Sequence, residues 1–154
     1  MSFRGLHYAR YGQDANQRDL GFIYSIDPTL VRGYNNINVN DLESLGISFG
    51  QVQGSKIIVG NAEVRLPFTG PERLSLIKSG FLLTDLVGFF DFGMTWRDND
   101  QFGEGSLEKP KPLMSTGIAM RVNLFGAFIL EPYYAKPLQK DMGWTLGINF
   151  VPGW

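Results

Sequence analysis

Cysteine is absent from the 154-residue chain, so it carries no disulfide and no thiolate metal site. Histidine occurs once, as His7. With no second imidazole or thiol beside it, a hydrogen-bonded or solvated ring is the ordinary reading, ahead of a metal ligand or a catalytic base. Neither sign of charge is in excess: the formal net charge is −1, so no bulk field draws the chain to nucleic acid. No apolar run approaches the ~20 residues of a membrane helix. Residues Met1 to Tyr11 hold Arg4, His7 and Arg10 and no apolar stretch. No signal peptide is read there, and an exported form of this sequence is expected to start upstream. A phosphate-binding glycine loop, a nucleophile elbow and a serine–histidine pairing are all missing. Asp98-Asn99-Asp100 with Glu104 lacks the rest of a calcium loop. No catalytic residue, metal or cofactor is expected.

What the chain has is glycine, 19 residues of it, and a 14% aromatic share, which together suit strands joined by tight turns. Its length predicts one domain. Strands are expected over Phe3–Tyr11, Ile57–Leu66, Phe81–Trp96, Met114–Leu124, Phe128–Ala135 and Trp144–Phe150. No helix of useful length is expected. Side chains along a strand point to opposite faces in turn. In the third strand Leu82, Leu86, Phe90, Phe92, Met94 and Trp96 share one face, and Asp85, Asp91, Gly93 and Thr95 the other. In the second, Ile58, Ala62, Val64 and Leu66 oppose Asn61, Glu63 and Arg65. One face is greasy and the other polar. A soluble sandwich buries the greasy face; a membrane barrel turns it to lipid and lines an aqueous lumen with the polar one. Trp96, Trp144, Trp154, Tyr133 and Tyr134 then fit interfacial aromatic girdles.

Loop lengths bear on that choice. Asn35–Gly54 and Arg97–Leu113 are long, Pro137–Gly143 is short, and Phe125-Gly126 is a tight turn. Outer-membrane barrels pair long extracellular loops with short periplasmic turns. Counting back from a periplasmic C-terminus puts the first three outside and Phe125-Gly126 inside. The connection Pro67–Ser79, broken by Gly70-Pro71, fits less well. Asn35–Gly54 itself is polar and is expected to be irregular.

Two motifs stand in this frame. Val31-Arg32-Gly33-Tyr34 ends the stretch Phe22–Tyr34, just before Asn35–Gly54, and Phe89, Asp91 and Gly93 follow on a strand as Phe-x-Asp-x-Gly. In this order they resemble the bacterial surface antigen family of outer-membrane barrels, which includes the outer-membrane protein assembly factor and the two-partner secretion transporters. The resemblance runs from Gly5 to the end. It implies an all-β fold: the C-terminal portion, residues 1–154, of an antiparallel transmembrane β-barrel. The family's barrel has roughly sixteen strands, within the range of outer-membrane barrels, and this chain matches the last six. Six strands cannot close around a folded loop. The remaining strands are expected from the same or another chain.

The resemblance also implies a role for each motif. Arg32, on a loop tucked into the lumen, would meet Asp91, and Glu63 on the neighbouring strand is a second partner. Gly147, Phe150 and Trp154 would form the C-terminal assembly signal, although Val151-Pro152-Gly153-Trp154 extends past the usual final aromatic. The implied function is insertion, secretion or translocation of proteins at the bacterial outer membrane, without covalent chemistry. The implied partners are outer-membrane lipid, the missing strands, and periplasmic or lipoprotein accessory subunits. Three other readings stay open on the residues alone: a passive barrel anchor for another domain, a soluble lipocalin-like barrel, and an outer-membrane enzyme using carboxylates such as Asp85, Glu63 and Glu131.

Overall fold

Alternation of apolar and polar residues becomes a single sheet. A computed structural model describes residues 1–12, 30–34, 39–70, 76–78, 83–97, 111–124, 127–139 and 141–152. Six long strands lie side by side in chain order: β1 (Ser2–Ala9), β2 (Lys56–Gly70), β4 (Leu83–Trp96), β5 (Leu113–Leu124), β6 (Phe128–Pro137) and β7 (Thr145–Pro152). Each pairs antiparallel with the next. The two-residue β3 (Ile77–Lys78) pairs parallel with Thr69 and Gly70 of β2. Among the described residues the sheet is open, with β1 and β7 at its edges.

One boundary and one irregular stretch differ from expectation. β2 does not stop at Leu66; it continues through Pro67 to Gly70, with a register shift between Pro67 and Thr69. Proline lacks the N–H a regular ladder needs, so the strand passes it at an irregularity. The stretch expected to be irregular holds a 3₁₀ turn (Val39–Asp41) and a one-turn helix (Phe49–Val52).

The sheet's outer face is apolar and open. Val64, Leu66, Leu86, Phe90, Ile118, Leu146, Ile148 and Phe150 are all exposed there. Tyr134 and Trp144 stack at its β6–β7 end, with ring centroids 4.8 Å apart. The inner face is not the wholly polar wall that the alternation suggests. Val87 and Phe89 stand between Asp85 and Asp91 and are buried, with Ala119, Tyr133 and Ala135 beside them. Tyr133 faces inward at 2% exposure, so it belongs to this wall and not to an aromatic girdle.

The described residues of the connection between β1 and β2 pack against a second apolar part of this face. Val31, Tyr34, Leu42, Ile47 and Val52 from this loop form one core with Ile57, Val59, Leu113 and Met142. The Tyr34 hydroxyl donates to the Met114 carbonyl at 2.7 Å. Burial pushes its pKa up, which keeps it a donor. Each fully buried aliphatic or aromatic side chain is worth about 1.5–3 kcal/mol. The loop is therefore held to the wall mainly by apolar contact.

Candidate functional site

At the loop's tip the chain turns sharply. Gly33 has φ +92°, and a Cβ there would lie 3.0 Å from the Ala135 Cβ and 3.2 Å from the Pro137 Cγ. Both the backbone and the space require glycine. The turn aims Arg32 at the sheet.

Arg32 is 3% exposed and Asp91 fully buried. The Arg32 Nε donates to Asp91 Oδ2 at 2.7 Å and Nη2 donates to Oδ1 at 2.8 Å. The Arg32 backbone N–H adds a third bond to Oδ2 at 3.1 Å. This is the bidentate fork that a guanidinium makes and an ammonium cannot. Asn61 completes the acceptor: its Nδ2 lies 2.9 Å from Asp91 Oδ1 and 2.9 Å from the Leu30 carbonyl, tying β2 to both β4 and the loop. Below the guanidinium, the Phe89 ring centroid is 3.6 Å from the Arg32 Cζ.

Two further carboxylates reach the same arginine. Glu63 Oε1 on β2 is 3.1 Å from Arg32 Nη2, and Glu131 Oε1 on β6 accepts from Nη1 at 3.2 Å. Neither acid is left to Arg32 alone. Arg121 on β5 binds Glu131 Oε2 through Nε at 2.8 Å and also through Nη2. Its Nη2 is 3.5 Å from Glu63 Oε1. Arg65 Nη2 donates to Glu63 Oε2 at 2.7 Å, and Asn149 Nδ2 on β7 donates to Glu131 Oε1 at 3.1 Å. Three guanidiniums thus face three carboxylates, and the cluster is neutral. Burial alone disfavours a charged Arg32, but its hydrogen bonds to Asp91 and the three acids outweigh that and hold its pKa above the ordinary value.

A scan of protein-family models matches the Omp85 superfamily domain over residues 11–153. The chain belongs to the Omp85 superfamily. Searches of curated proteins and of solved structures returned no match. Omp85 proteins are β-barrels associated with the bacterial outer membrane, and they act there as transporters and assembly factors with other subunits. The open sheet is accordingly a partial Omp85 barrel, with an apolar outer face.

In this Omp85 sheet the residues singled out from the motifs do not all converge. Arg32, Asp91, Glu63 and Phe89 come together, with Val31, Gly33 and Tyr34 building the turn and its apolar footing. Gly93 lies apart from them, opposite Val59 and Leu113. Gly147 sits under Tyr133, while Phe150 is on the outer face, stacked on Phe128 at 5.1 Å. Trp154, Asp98, Asn99, Asp100 and Glu104 lie outside the described residues. His7 Nε2 is 3.3 Å from the Tyr11 hydroxyl, and its ring stacks on Trp96. Glu63 and Glu131 are each held by guanidiniums instead of facing one another as an acid–base pair. Asp85 is in register with Arg121.

Sequence reasoning missed Glu131, Asn61, Arg121, Asn149 and Tyr133 as parts of this cluster. All five carry the one signal that could have found them: each lies on the face shared with Asp91 once the strands are in register.

Proposed function

We propose that this chain is the C-terminal part of a barrel in the bacterial outer membrane that inserts, secretes or translocates proteins, and that Arg32 locks the β1–β2 loop in one position on its inner wall. The observation that carries this reading is one loop arginine engaging acids of three separate strands: Glu63, Asp91 and Glu131. A contact of that breadth is poorly suited to adding stability, because desolvating the ions offsets much of their attraction. It is well suited to selecting one register of the loop, since a shift of one residue would break all three pairs at once. Apolar packing supplies the adhesion, and the ion cluster supplies the position.

Val31, Arg32, Gly33 and Tyr34 form the lock in this reading. Asp91 and Glu63, with Glu131, receive it, and Phe89 floors it. Gly147, Phe150 and Trp154 serve recognition during assembly. The partners are outer-membrane lipid, the strands that complete the barrel, and periplasmic or lipoprotein accessory subunits. The test uses the full-length protein in its membrane. Arg32→Ala is expected to expose the loop to external protease and to lower client export or assembly, with the barrel still folded by heat-dependent gel mobility. An exposed loop with unchanged client handling would favour a passive anchor.

A further inference from the structure

Four of the charged groups close a ring. Arg32 meets Glu63 at 3.1 Å, Glu63 meets Arg121 at 3.5 Å, Arg121 binds Glu131, and Glu131 returns to Arg32 at 3.2 Å. Signs alternate around it. Arg32 comes from the loop, whereas the other three members stand on β2, β5 and β6.

We infer that Arg121 is a positioning residue, which holds Glu63 and Glu131 aimed at the seat of Arg32 so that the loop docks into a receptor already assembled. The inference rests on reading Arg32 as the lock. Arg121 belongs to the sheet, so it stays in place whether or not the loop is seated. Glu63 and Glu131 are separated by two intervening strands, β4 and β5. At about 4.8 Å per strand they would not approach without a cation between them, and as like charges they repel. Arg121 spans that gap from β5. It takes Glu131 Oε2 and leaves Oε1 to Arg32 and Asn149.

Charge balance points the same way. With the loop withdrawn, Glu63, Asp91 and Glu131 face Arg65 and Arg121 with one net negative charge, Asp85 on the same face adds another, and the wall attracts a guanidinium. Without Arg121 the empty wall would hold one more uncompensated carboxylate, and the acids would repel one another away from the seat. A plain cross-strand pair between Arg121 and Glu131 would need none of this. Its reach to Glu63, on the far side of β4, is the feature such a pair leaves unexplained.

The experiment measures protease cleavage of the loop around Arg32 in the full-length protein in its membrane, beside heat-dependent mobility as the folding control. Arg121→Met is expected to speed cleavage about tenfold, within the range for members of one coupled network. Arg121→Lys should speed it less, because it restores the charge without the fork. Adding Glu131→Gln to Arg121→Met should recover part of the protection, since it removes a stranded carboxylate. If Arg121→Met does not fold, the comparison of Arg121→Lys with wild type decides: cleavage within twofold of wild type overturns the inference. An additive Arg121→Met, Arg32→Ala double variant also overturns it. Arg32→Ala with a still-protected loop would sink the lock reading and this inference together. Exposure in Arg32→Ala with none in Arg121→Met would sink only this one.

Discussion

Tyr133 covers Gly147 so closely that a Cβ on the glycine would lie 2.3 Å from the tyrosine ring and hydroxyl. The tyrosine is fixed from its other sides. Its hydroxyl is hydrogen-bonded to the Gly33 backbone, and its ring meets Phe89 edge-on at 6.3 Å. The last strand is thereby tied to the tip of the loop through one aromatic side chain.

Gly147→Ala is expected to displace Tyr133 and to cost about 1–3 kcal/mol, as overpacking does. The measurement is the temperature at which the folded gel band is lost. Tyr133→Leu in the same chain should return most of that temperature by making room. If Gly147 acts solely as a residue read during assembly, Tyr133→Leu will restore nothing.

Charge on the two faces should be felt unequally. Ile118→Arg and Leu146→Arg place a cation on the outer face, at residues 66% and 67% exposed. Near the bilayer midplane this costs about 2–4 kcal/mol. Both should reduce the yield of folded barrel in the membrane. Arg65→Gln, on the inner face, should leave the yield near wild type. Equal damage from all three would count against a lipid-facing outer surface.

The strands were legible because one face of each is apolar throughout while the other carries most of the polar and charged side chains, which imposes a period of two. Arg32 and Asp91 were legible as a pair only through the resemblance of their motifs, since 58 residues separate them in the chain and nothing local joins them. Glu131 reads as one lumen acid among several until the register of four strands is known. The alternation also assigns polar character to the whole inner face, yet Val87 and Phe89 are buried there with Ala119, Tyr133 and Ala135, and Phe89 lies under the Arg32 guanidinium. Pro67 reads as a strand end, and only the irregularity beside it shows how the strand continues.

The chain as it stands is not expected to persist as a monomer in detergent-free water. Val64, Leu66, Leu86, Phe90, Ile118 and Ile148 form a continuous exposed surface. Soluble monomers rarely expose apolar patches above a few hundred Å². Size-exclusion chromatography after detergent removal should show aggregates. A sharp monomer peak with dispersed amide resonances would instead favour a soluble barrel.

The strongest test of the site is the pairing of Arg32 with Asp91. At their separation of 2.7 Å the attraction is about 6 kcal/mol for an effective dielectric near 20, before desolvation is counted. Removing one partner strands the other among buried groups, a change that costs about 3–5 kcal/mol. Asp91→Ala leaves Arg32 with Glu63 and Glu131, whereas Arg32→Ala leaves Asp91 with Asn61. Loss of Arg32 should therefore be the more damaging for loop position. Both single variants should raise protease cleavage at the loop, and neither should prevent the barrel from folding, because strand pairing does not run through this contact. The double variant should lose less than the two singles combined, as coupled partners do. Cleavage rates for the four proteins, wild type included, close the cycle. Strict additivity would mean that the two residues do not act as a pair in the membrane, and the lock would then have to rest on Glu63 and Glu131 alone.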